Sequence, residues 1–223
     1  MVRQARSEVT RRRIIDAAVD LFTETGYATT GLSEIIDRVA VTKGALYYHF
    51  DSKEALGRAI IADGSAVLVD AFVSISSAPA PAFENMIHGV FAVVELISTD
   101  KLARTAVHLC RGPNEFIDAA AQAYTNWLLA LSAQAAQAQQ QGDLRNDLDP
   151  KAVGEIVLAA VLGVEVISSA TSSSTDLIRR LTRVWEVLLP AITSEQSLAY
   201  FREYLARESM RRLGPSLMLD PAD

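Results

Sequence analysis

The sequence has little that would place the protein outside the cell or in a membrane. It contains one cysteine, Cys110, so no disulfide can form within the chain. Its N-terminus, MVRQARSEVTRRR, lacks the apolar core of a secretory signal peptide. The most apolar run, at 156–164, lies between Glu155 and Glu165 and is much shorter than the ~20 residues that span a bilayer. We therefore expect a cytoplasmic protein with no membrane partner.

The residues that commonly carry catalysis or bind metals are also sparse. The chain has three histidines, His49, His88 and His108, and none stands in a recognisable pattern with a carboxylate or a nucleophile. His108 and Cys110 are two residues apart, but a zinc site usually needs three or four ligands. We expect no enzyme activity, no cofactor and no metal site.

Strand patterns are absent as well, because no run with a period of two is bounded by turn residues. Helical spacing recurs instead, for example from Ile14 through Ala18 to Phe22, and Gly26 suits the position just after that helix. The pattern predicts an all-α protein. The predicted helices lie at about 8–25, 32–39, 43–49, from about 53 to 75, 82–97, 101–110, 114–140, 150–170, 175–191 and 194–212.

Charge divides the chain into unlike parts. The net charge is −6, but residues 1–58 carry a balance of +1 and residues 59–223 a balance of −7. Arg3 and Arg6 belong to an arginine-rich N-terminus that can bind phosphate while the acidic body stays away from DNA. A solvated helix start explains the same charges. We predict a helix-turn-helix domain at 1–56, a helical ligand-binding and dimerisation domain at 57–213, and a flexible tail at 214–223.

The two short helices at 32–39 and 43–49 are joined by a tight turn, which predicts a helix-turn-helix. In the second helix Leu46 and Phe50 share one face and are expected to be buried. The residues left on the other face are Lys43, Gly44, Tyr47 and Tyr48. Tyrosines exposed in this way are suited to contacts with DNA sugars, thymine methyls and phosphates. Gly44 would let the helix backbone come close to DNA.

Residues 11–56, RRRIIDAAVDLFTETGYATTGLSEIIDRVAVTKGALYYHFDSKEAL, closely resemble the DNA-binding domain of the tetracycline-repressor (TetR) family of bacterial transcription regulators. The resemblance implies base contacts near Lys43, Gly44 and Tyr48. It also implies phosphate contacts from Thr30, Thr42, Lys43, Tyr47, His49 and Lys53. One departure is Ala40, which stands where the family usually has a glycine. If the turn needs a positive φ, alanine costs up to about 1–2 kcal/mol there.

The helix predicted at 114–140 carries a stripe in which Trp127 stands out, because a buried indole N–H needs an acceptor. Residues 123–150 are similar to the γ-butyrolactone receptor branch of the family, and the resemblance implies that Trp127 covers a lactone-type signal. A departure is His108, where an arginine is common. The predicted ligand-binding residues are Phe91, His108, Leu109, Tyr124, Trp127, Leu131, Val161, Val164 and Glu165.

The helices at about 150–170 and 175–191 are the predicted homodimer surface, because the first is apolar all round and the second has a leucine stripe. The leading hypothesis is a homodimeric repressor that a small apolar signal, such as a γ-butyrolactone-type molecule, releases from a palindromic DNA operator. The alternative is a multidrug-responsive repressor of an efflux transporter gene, with Glu95 or Glu165 favouring cations. A DNA architectural protein without a ligand is a third possibility, but it would not need so large an acidic body.

Overall fold

The computed structural model describes residues 2–172 and 175–213, and every regular element within them is a helix, as predicted. The side chain of Arg3 and the tail at 214–223 lie outside the described residues. In chain order the helices are α1 (Val2–Thr25), α2 (Leu32–Val39), α3 (Lys43–His49), α4 (Lys53–Ser76), α5 (Ala82–Thr99), α6 (Lys101–Arg111), α7 (Ile117–Gln140), α8 (Pro150–Ser172), α9 (Leu177–Ile192) and α10 (Leu198–Leu213), with a 3-10 turn at Asn114–Phe116 before α7.

The bounds agree with the predicted helices to within a few residues, except at the start of α1 and the start of α10. Helix α1 begins at Val2 instead of about residue 8. Its first twelve residues contain five arginines, one glutamine and one glutamate, which are good helix formers. An ion pair between Arg12 Nε and Asp16 Oδ1 at 3.0 Å adds support one turn later.

The described chain forms two compact units whose border differs from the predicted domain border. The first unit contains the residues up to 68 together with 99–124, and the second contains 69–98 together with the residues from 125 onward. The packing of α6 explains the difference. Leu102 and Leu109 of α6 and Phe116 of the 3-10 turn are buried in the same core as Ile14 of α1 and Leu46 of α3. Residues 99–124 are therefore part of the helix-turn-helix unit.

The turn between α2 and α3 does require a positive φ at Ala40. Ala40 has φ 55° and ψ 47°, which is left-handed backbone, and it is the one non-glycine residue with positive φ in the described chain. Its N–H donates to Asp37 O at 3.3 Å, and the next N–H, of Val41, donates to Ile36 O at 3.4 Å. These two bonds form the Schellman motif that usually ends a helix with glycine. The turn has the backbone conformation of a glycine-ended helix, and the alanine bears the steric cost.

We expect Ala40→Gly to raise the free energy of unfolding by about 1 kcal/mol, because glycine removes the contact between Cβ and the backbone in this conformation. Thermal unfolding followed by circular dichroism would measure the change. Ala133→Gly is a matched control, since Ala133 is exposed within α7 and a glycine there should be destabilising by about 1 kcal/mol. Equal losses of stability in both variants would contradict the assignment of strain to Ala40.

The second unit has an aromatic core. The ring centre of Phe83 lies 4.7 Å from that of Phe201 and 6.1 Å from that of Trp185, and the Trp127 ring meets Phe72 edge-on at 5.6 Å. Such tilted pairs are favourable beyond the area they bury. The core therefore holds the second unit together through large rings contributed by several helices.

A small polar network links side chains at the end of α8 to side chains at the start of α9. Asp176 accepts hydrogen bonds from the Ser172 hydroxyl at 2.5 Å and from Arg180 Nε at 2.6 Å, and the Ser168 hydroxyl donates to the same carboxylate. Burial alone would raise the pKa of Asp176, but these donors lower it below its usual value. The ionised carboxylate fixes the two helices that sequence analysis assigned to the dimer surface.

Two helices, α4 and α8, are long and apolar enough to cross a membrane by length and composition alone. Helix α8 passes this test because it extends beyond the apolar run at 156–164 at both ends. Core helices of globular proteins pass the same test, and both helices contribute side chains to helical cores, including Leu56 and Ile60 from α4 and Val157 and Val161 from α8.

Candidate functional site

The second helix of the helix-turn-helix, α3, is held by the face that sequence analysis assigned to the core. Leu46 is fully buried, and Phe50, the residue after the helix, is also buried. The Arg11 guanidinium lies over the Phe50 ring, with its Cζ 5.7 Å from the ring centre. Arg13 donates to Val39 O at 3.0 Å, which fixes the end of α2 beside α3. The orientation of α3 is therefore set from α1.

The opposite face of α3 is presented outward. Lys43 and Gly44 are exposed, Tyr47 is 44% exposed and Tyr48 is 76% exposed. A Cβ added at Gly44 would meet no atom within 4 Å. The Lys43 ammonium lies 5.8 Å from the Tyr47 ring centre, so one cation and one phenol share this part of the surface. The chain thus offers a flat aromatic and cationic face at the start of a rigid helix.

Thr42 and His49 flank that face. Thr42 is the N-cap of α3, and its side-chain oxygen accepts a hydrogen bond from the Ala45 N–H at 3.1 Å. Because the Thr42 oxygen is the acceptor in the cap bond, the hydroxyl of this exposed residue can still donate a hydrogen bond to a phosphate. His49 is half-buried at the other end of the helix, with its ring edge-on to Tyr48 at 5.1 Å. His49 therefore buttresses the most exposed tyrosine.

Two of the predicted phosphate contacts are occupied inside the protein. Thr30 is 2% exposed, and its hydroxyl bonds Gly26 O at 2.8 Å and the Thr25 hydroxyl at 2.9 Å. Thr30 also does not cap α2. Gly31 is the N-cap, and its N–H donates to the Glu34 carboxylate at 2.6 Å. A buried, hydrogen-bonded hydroxyl cannot reach DNA in this conformation, so we leave Thr30 out of the interface.

Lys53 is the second predicted phosphate contact that is engaged inside the protein. Its ammonium donates to the carbonyl oxygens of Tyr27, Ala28 and Thr30 at 2.9, 3.4 and 3.1 Å, and it lies 4.4 Å from the Tyr27 ring centre. These bonds use all three N–H groups of the side chain. Lys53 closes the connection between α1 and α2 in this structure, and its charge is directed at carbonyl oxygens instead of at solvent.

The arginines of α1 also divide into internal and outward groups. Arg11 forms an ion pair with Asp63 at 3.0 Å, and Arg12 and Arg13 bond Asp16 and Val39 as described above. Arg6 is exposed, as a phosphate contact requires. Of the two predicted N-terminal contacts, Arg6 alone has a described side chain.

The predicted ligand-binding residues of the second unit are buried. Trp127 packs against Phe72, and Phe91 is fully buried beneath the Arg212 guanidinium, whose Cζ lies 5.1 Å from the ring centre. The rest of this group, also buried, are Leu131, Val161, Val164 and Glu165. These side chains are shielded from water, as the contacts of an apolar signal would be.

The other three predicted residues belong to the first unit. His108 and Leu109 line a cleft of ≈ 510 Å³ between the end of α1 and α6, and Tyr124 is half-buried on α7. Sequence analysis missed the rest of the cleft lining, which includes Phe22, Tyr27 and Arg104. No local pattern could have found these residues, because the cleft arises only when α1 and α6 pack together.

Comparison with known proteins identifies the family. The description "Bacterial regulatory proteins, tetR family" matches residues 14–60, and "Tetracyclin repressor-like, C-terminal domain" matches residues 80–194. The A-factor receptor protein of Streptomyces griseus is 29% identical over 208 residues, which are 91% of this chain and 70% of that protein.

Solved structures agree with this assignment. A gamma-butyrolactone receptor, an ArpA-like protein, is 28% identical with a TM-score of 0.72, covering 92% of this chain and 99% of that one. The TetR family protein CprB from S. coelicolor A3(2) is 28% identical with a TM-score of 0.71, covering 90% and 97%. The chain belongs to the TetR family and is a ligand-responsive, DNA-binding transcriptional regulator, not an enzyme.

Proposed function

We propose that the protein is a homodimeric repressor that leaves a palindromic operator when a small apolar molecule of the γ-butyrolactone type binds its second unit. The proposed operator binding rests on the outward face of α3. The helix is anchored by Leu46 and Phe50, while Lys43, Gly44 and Tyr47 face outward with Tyr48. A face that is both rigidly held and solvent-exposed can enter the major groove without refolding.

The proposed contacts fall into two kinds. Lys43 and the two tyrosines contact base edges and sugars. Lys43 and Tyr47 also bind phosphates, together with Thr42, Arg3 and Arg6. His49 contributes by supporting Tyr48. In a dimer, two copies of α3 would lie about 34–36 Å apart and enter successive major grooves of a palindrome. A repressor of this kind acts on chromosomal DNA, and we place it in the cytoplasm.

The dimer surface is proposed on α8 and α9. Ile156 and Ile167 of α8 are 48% and 50% exposed, and Val187 of α9 is 74% exposed. Between the two isoleucines lies Gly163, where an added Cβ would meet nothing within 4 Å. Apolar side chains flanking a glycine suit close packing against a second copy, because large exposed apolar patches are rare on monomers.

We expect Gly163→Leu to leave the monomer folded and to weaken self-association by at least about tenfold, since the leucine would project from the surface that a partner must approach. Sedimentation velocity over a range of protein concentrations would measure the monomer–dimer equilibrium. Ala133→Leu, at an exposed site on α7, is the matched control and should leave association unchanged. Wild-type association in the Gly163→Leu variant would place the interface elsewhere.

The effector is proposed from the core around Trp127. The indole packs against Phe72, and the neighbouring predicted residues are apolar apart from Glu165. A mostly apolar surrounding with one acid suits an uncharged molecule that carries a hydroxyl or carbonyl group. The names of two relatives, the A-factor receptor protein and the gamma-butyrolactone receptor, support a lactone of this class.

The test is an electrophoretic mobility-shift titration on the DNA upstream of the protein's own gene, with and without a synthetic γ-butyrolactone. We expect the lactone to weaken DNA binding and, by linkage, DNA to weaken lactone binding by the same factor. Trp127→Phe should keep DNA affinity and reduce the response to lactone at least about tenfold, because phenylalanine fills less of the core and lacks the indole N–H.

Two outcomes would redirect the proposal. Failure of the parent protein to bind upstream DNA at low salt would contradict the operator assignment. A larger thermal shift with a cationic dye than with the lactone would instead favour the multidrug-responsive alternative, in which buried acids such as Glu165 attract a cation.

A further inference from the structure

A groove between α9 and α10 lies within the second unit, and its lining residues differ from those proposed for the lactone site. Its volume of ≈ 330 Å³ is at the lower end of the range that holds small ligands in proteins. The two helices are antiparallel, because the short connection at 193–197 joins them and the Thr182 and Ser209 hydroxyls meet 2.9 Å apart at the far end. Leu189 and Arg202 lie at the near end, beside the connection.

The floor of the groove is apolar. Leu189 and Leu205, which line the groove, are buried side chains. Ala206 lies between Arg202 and Ser209 on α10 and is exposed, and its small side chain leaves the middle of the groove open. An apolar chain lying along this floor would remove both its own surface and that of the floor from water.

The α9 side of the groove carries hydrogen-bond acceptors. Thr182 and Glu186 are one turn apart and therefore lie on one face of the helix. The Thr182 hydroxyl donates its hydrogen to Ile178 O at 2.9 Å, so the Ser209 hydroxyl is the donor in the bond between Thr182 and Ser209. A lone pair of the Thr182 oxygen is then left for a donor in the groove. Together with the exposed Glu186 carboxylate, this oxygen suits an ammonium group.

The α10 side of the groove carries a cation. Arg202 is exposed, and within residues 2–172 and 175–213 its guanidinium forms no ion pair. The same holds there for the Glu186 carboxylate, although both side chains line the groove. The neighbouring acid on α10, Glu203, is paired with Arg207 at 3.7 Å. The groove therefore offers acceptors towards one end and a cation at the other, with apolar surface between them.

We propose that this groove binds a linear zwitterion, in which an ammonium and a carboxylate are separated by a methylene chain. The ammonium donates to the Thr182 oxygen and the Glu186 carboxylate, and the ligand carboxylate accepts from Arg202. The methylene chain lies over Ala206. From Thr182 to Leu189 the helix rises by about 10 Å. An α-amino acid carries its two charges on neighbouring carbons and is too short for this groove, so an ω-amino carboxylate is the class that fits.

Binding of such a ligand would connect α9 to α10 through one charged contact on each side of the groove. A ligand that binds the folded chain alone stabilises it by mass action, so the second unit should unfold at a higher temperature when the ligand is present. This site depends on neither the proposed operator binding nor the proposed lactone binding.

Isothermal titration calorimetry with 6-aminohexanoate tests the site directly. We expect saturable binding of one molecule per chain. Hexanoate lacks the ammonium and hexylamine lacks the carboxylate, so each should bind at least about tenfold more weakly. Glycine, whose two charges are too close together to span the groove, should also bind at least about tenfold more weakly. The fluorescence midpoint of thermal unfolding, reported by the two tryptophans of the second unit, should rise with 6-aminohexanoate.

Substitutions test whether the zwitterion lies in the groove. Arg202→Gln and Glu186→Gln should each weaken 6-aminohexanoate binding by at least about tenfold, because each removes one charged contact. Ala206→Leu should abolish binding, since the larger side chain would occupy the middle of the groove. Arg207→Gln is the matched control on α10 and should bind as the parent does, because Arg207 is exposed but does not line the groove.

The proposal is overturned if the parent binds no 6-aminohexanoate, if hexanoate or hexylamine binds equally well, or if either Arg202→Gln or Glu186→Gln binds as the parent does. Equal losses in Arg207→Gln and Arg202→Gln would also overturn it, since they would indicate attraction by general positive charge. If circular dichroism shows that Ala206→Leu does not fold, the two glutamine variants decide, because both replace exposed side chains of similar size.

Discussion

Gly44→Leu is expected to fold as the parent does and to lose operator binding by at least about a hundredfold. The glycine lies on the outward face of α3, and a Cβ there meets no atom of the chain within 4 Å. The side chain would therefore occupy the space that the DNA groove must fill, and it would separate the flanking Lys43 and Tyr47 from their contacts. Fluorescence anisotropy with a labelled upstream fragment would measure the affinity, and circular dichroism the fold.

Further variants test whether the loss of DNA binding in Gly44→Leu is specific to α3. Gly44→Ala should stabilise α3 by up to about 1 kcal/mol through helix propensity, with a smaller loss of DNA binding. Lys43→Ala should weaken binding and lower the slope of log affinity against log salt by about one, as expected for one lost phosphate contact. The DNA affinity of Tyr47→Ala is compared with that of Tyr200→Ala, because the two tyrosines are similarly exposed but lie in different units. If Gly44→Leu binds the fragment normally, α3 is not the DNA-reading helix.

Gly64→Ala is expected to destabilise the first unit by about 2–3 kcal/mol. Gly64 is the point where α4 crosses α6, and an added Cβ would lie 2.5 Å from Ala106 Cβ and 2.8 Å from the carbonyl oxygen of Leu102. A backbone oxygen cannot rotate away, so the two helices must separate. Gly57→Ala would also clash, at 2.4 Å from Phe116, but with a side-chain ring that can shift. We expect Gly57→Ala to be the milder variant.

The two tryptophans allow this effect to be localised. Trp127 and Trp185 both lie in the second unit, so their fluorescence reports that unit, whereas circular dichroism reports all the helices. Gly64→Ala should lower the midpoint of the dichroism transition more than that of the fluorescence transition. Gly44→Ala makes the same chemical change at an open position and serves as the control. An unchanged midpoint of the dichroism transition in Gly64→Ala would contradict the close packing of α4 against α6 at Gly64.

Much of this architecture could be predicted because it follows from local pattern. Helix bounds follow from apolar spacing and from caps such as Thr42, and the outward face of α3 follows from the positions of Leu46 and Phe50. The left-handed turn at Ala40 was indicated by a departure from the family pattern. These features depend on residues that are near one another in the sequence.

The parts that sequence analysis missed depend on residues far apart in the chain. Lys53 is a phosphate contact by family pattern, yet its ammonium closes the α1–α2 connection because Tyr27 and its neighbours fold back over α4. The resemblance also implies a phosphate contact from Thr30, but its hydroxyl is buried and donates to Gly26 O. The compact units also differ from the predicted domains, because α6 contributes Leu109 to the same core as α1, and the spacing of apolar residues within one helix does not indicate which other helix it packs against.

The alanine at position 40 has a genetic consequence. Alanine and glycine codons differ at the second base alone, so a single substitution in the gene converts the strained turn to the relaxed one. A gene library that contains every single-base substitution and is selected for heat-resistant folding should therefore return Ala40→Gly, without any change to the two N–H bonds donated at positions 40 and 41. The left-handed backbone of one turn thus predicts which substitution such a selection recovers at position 40.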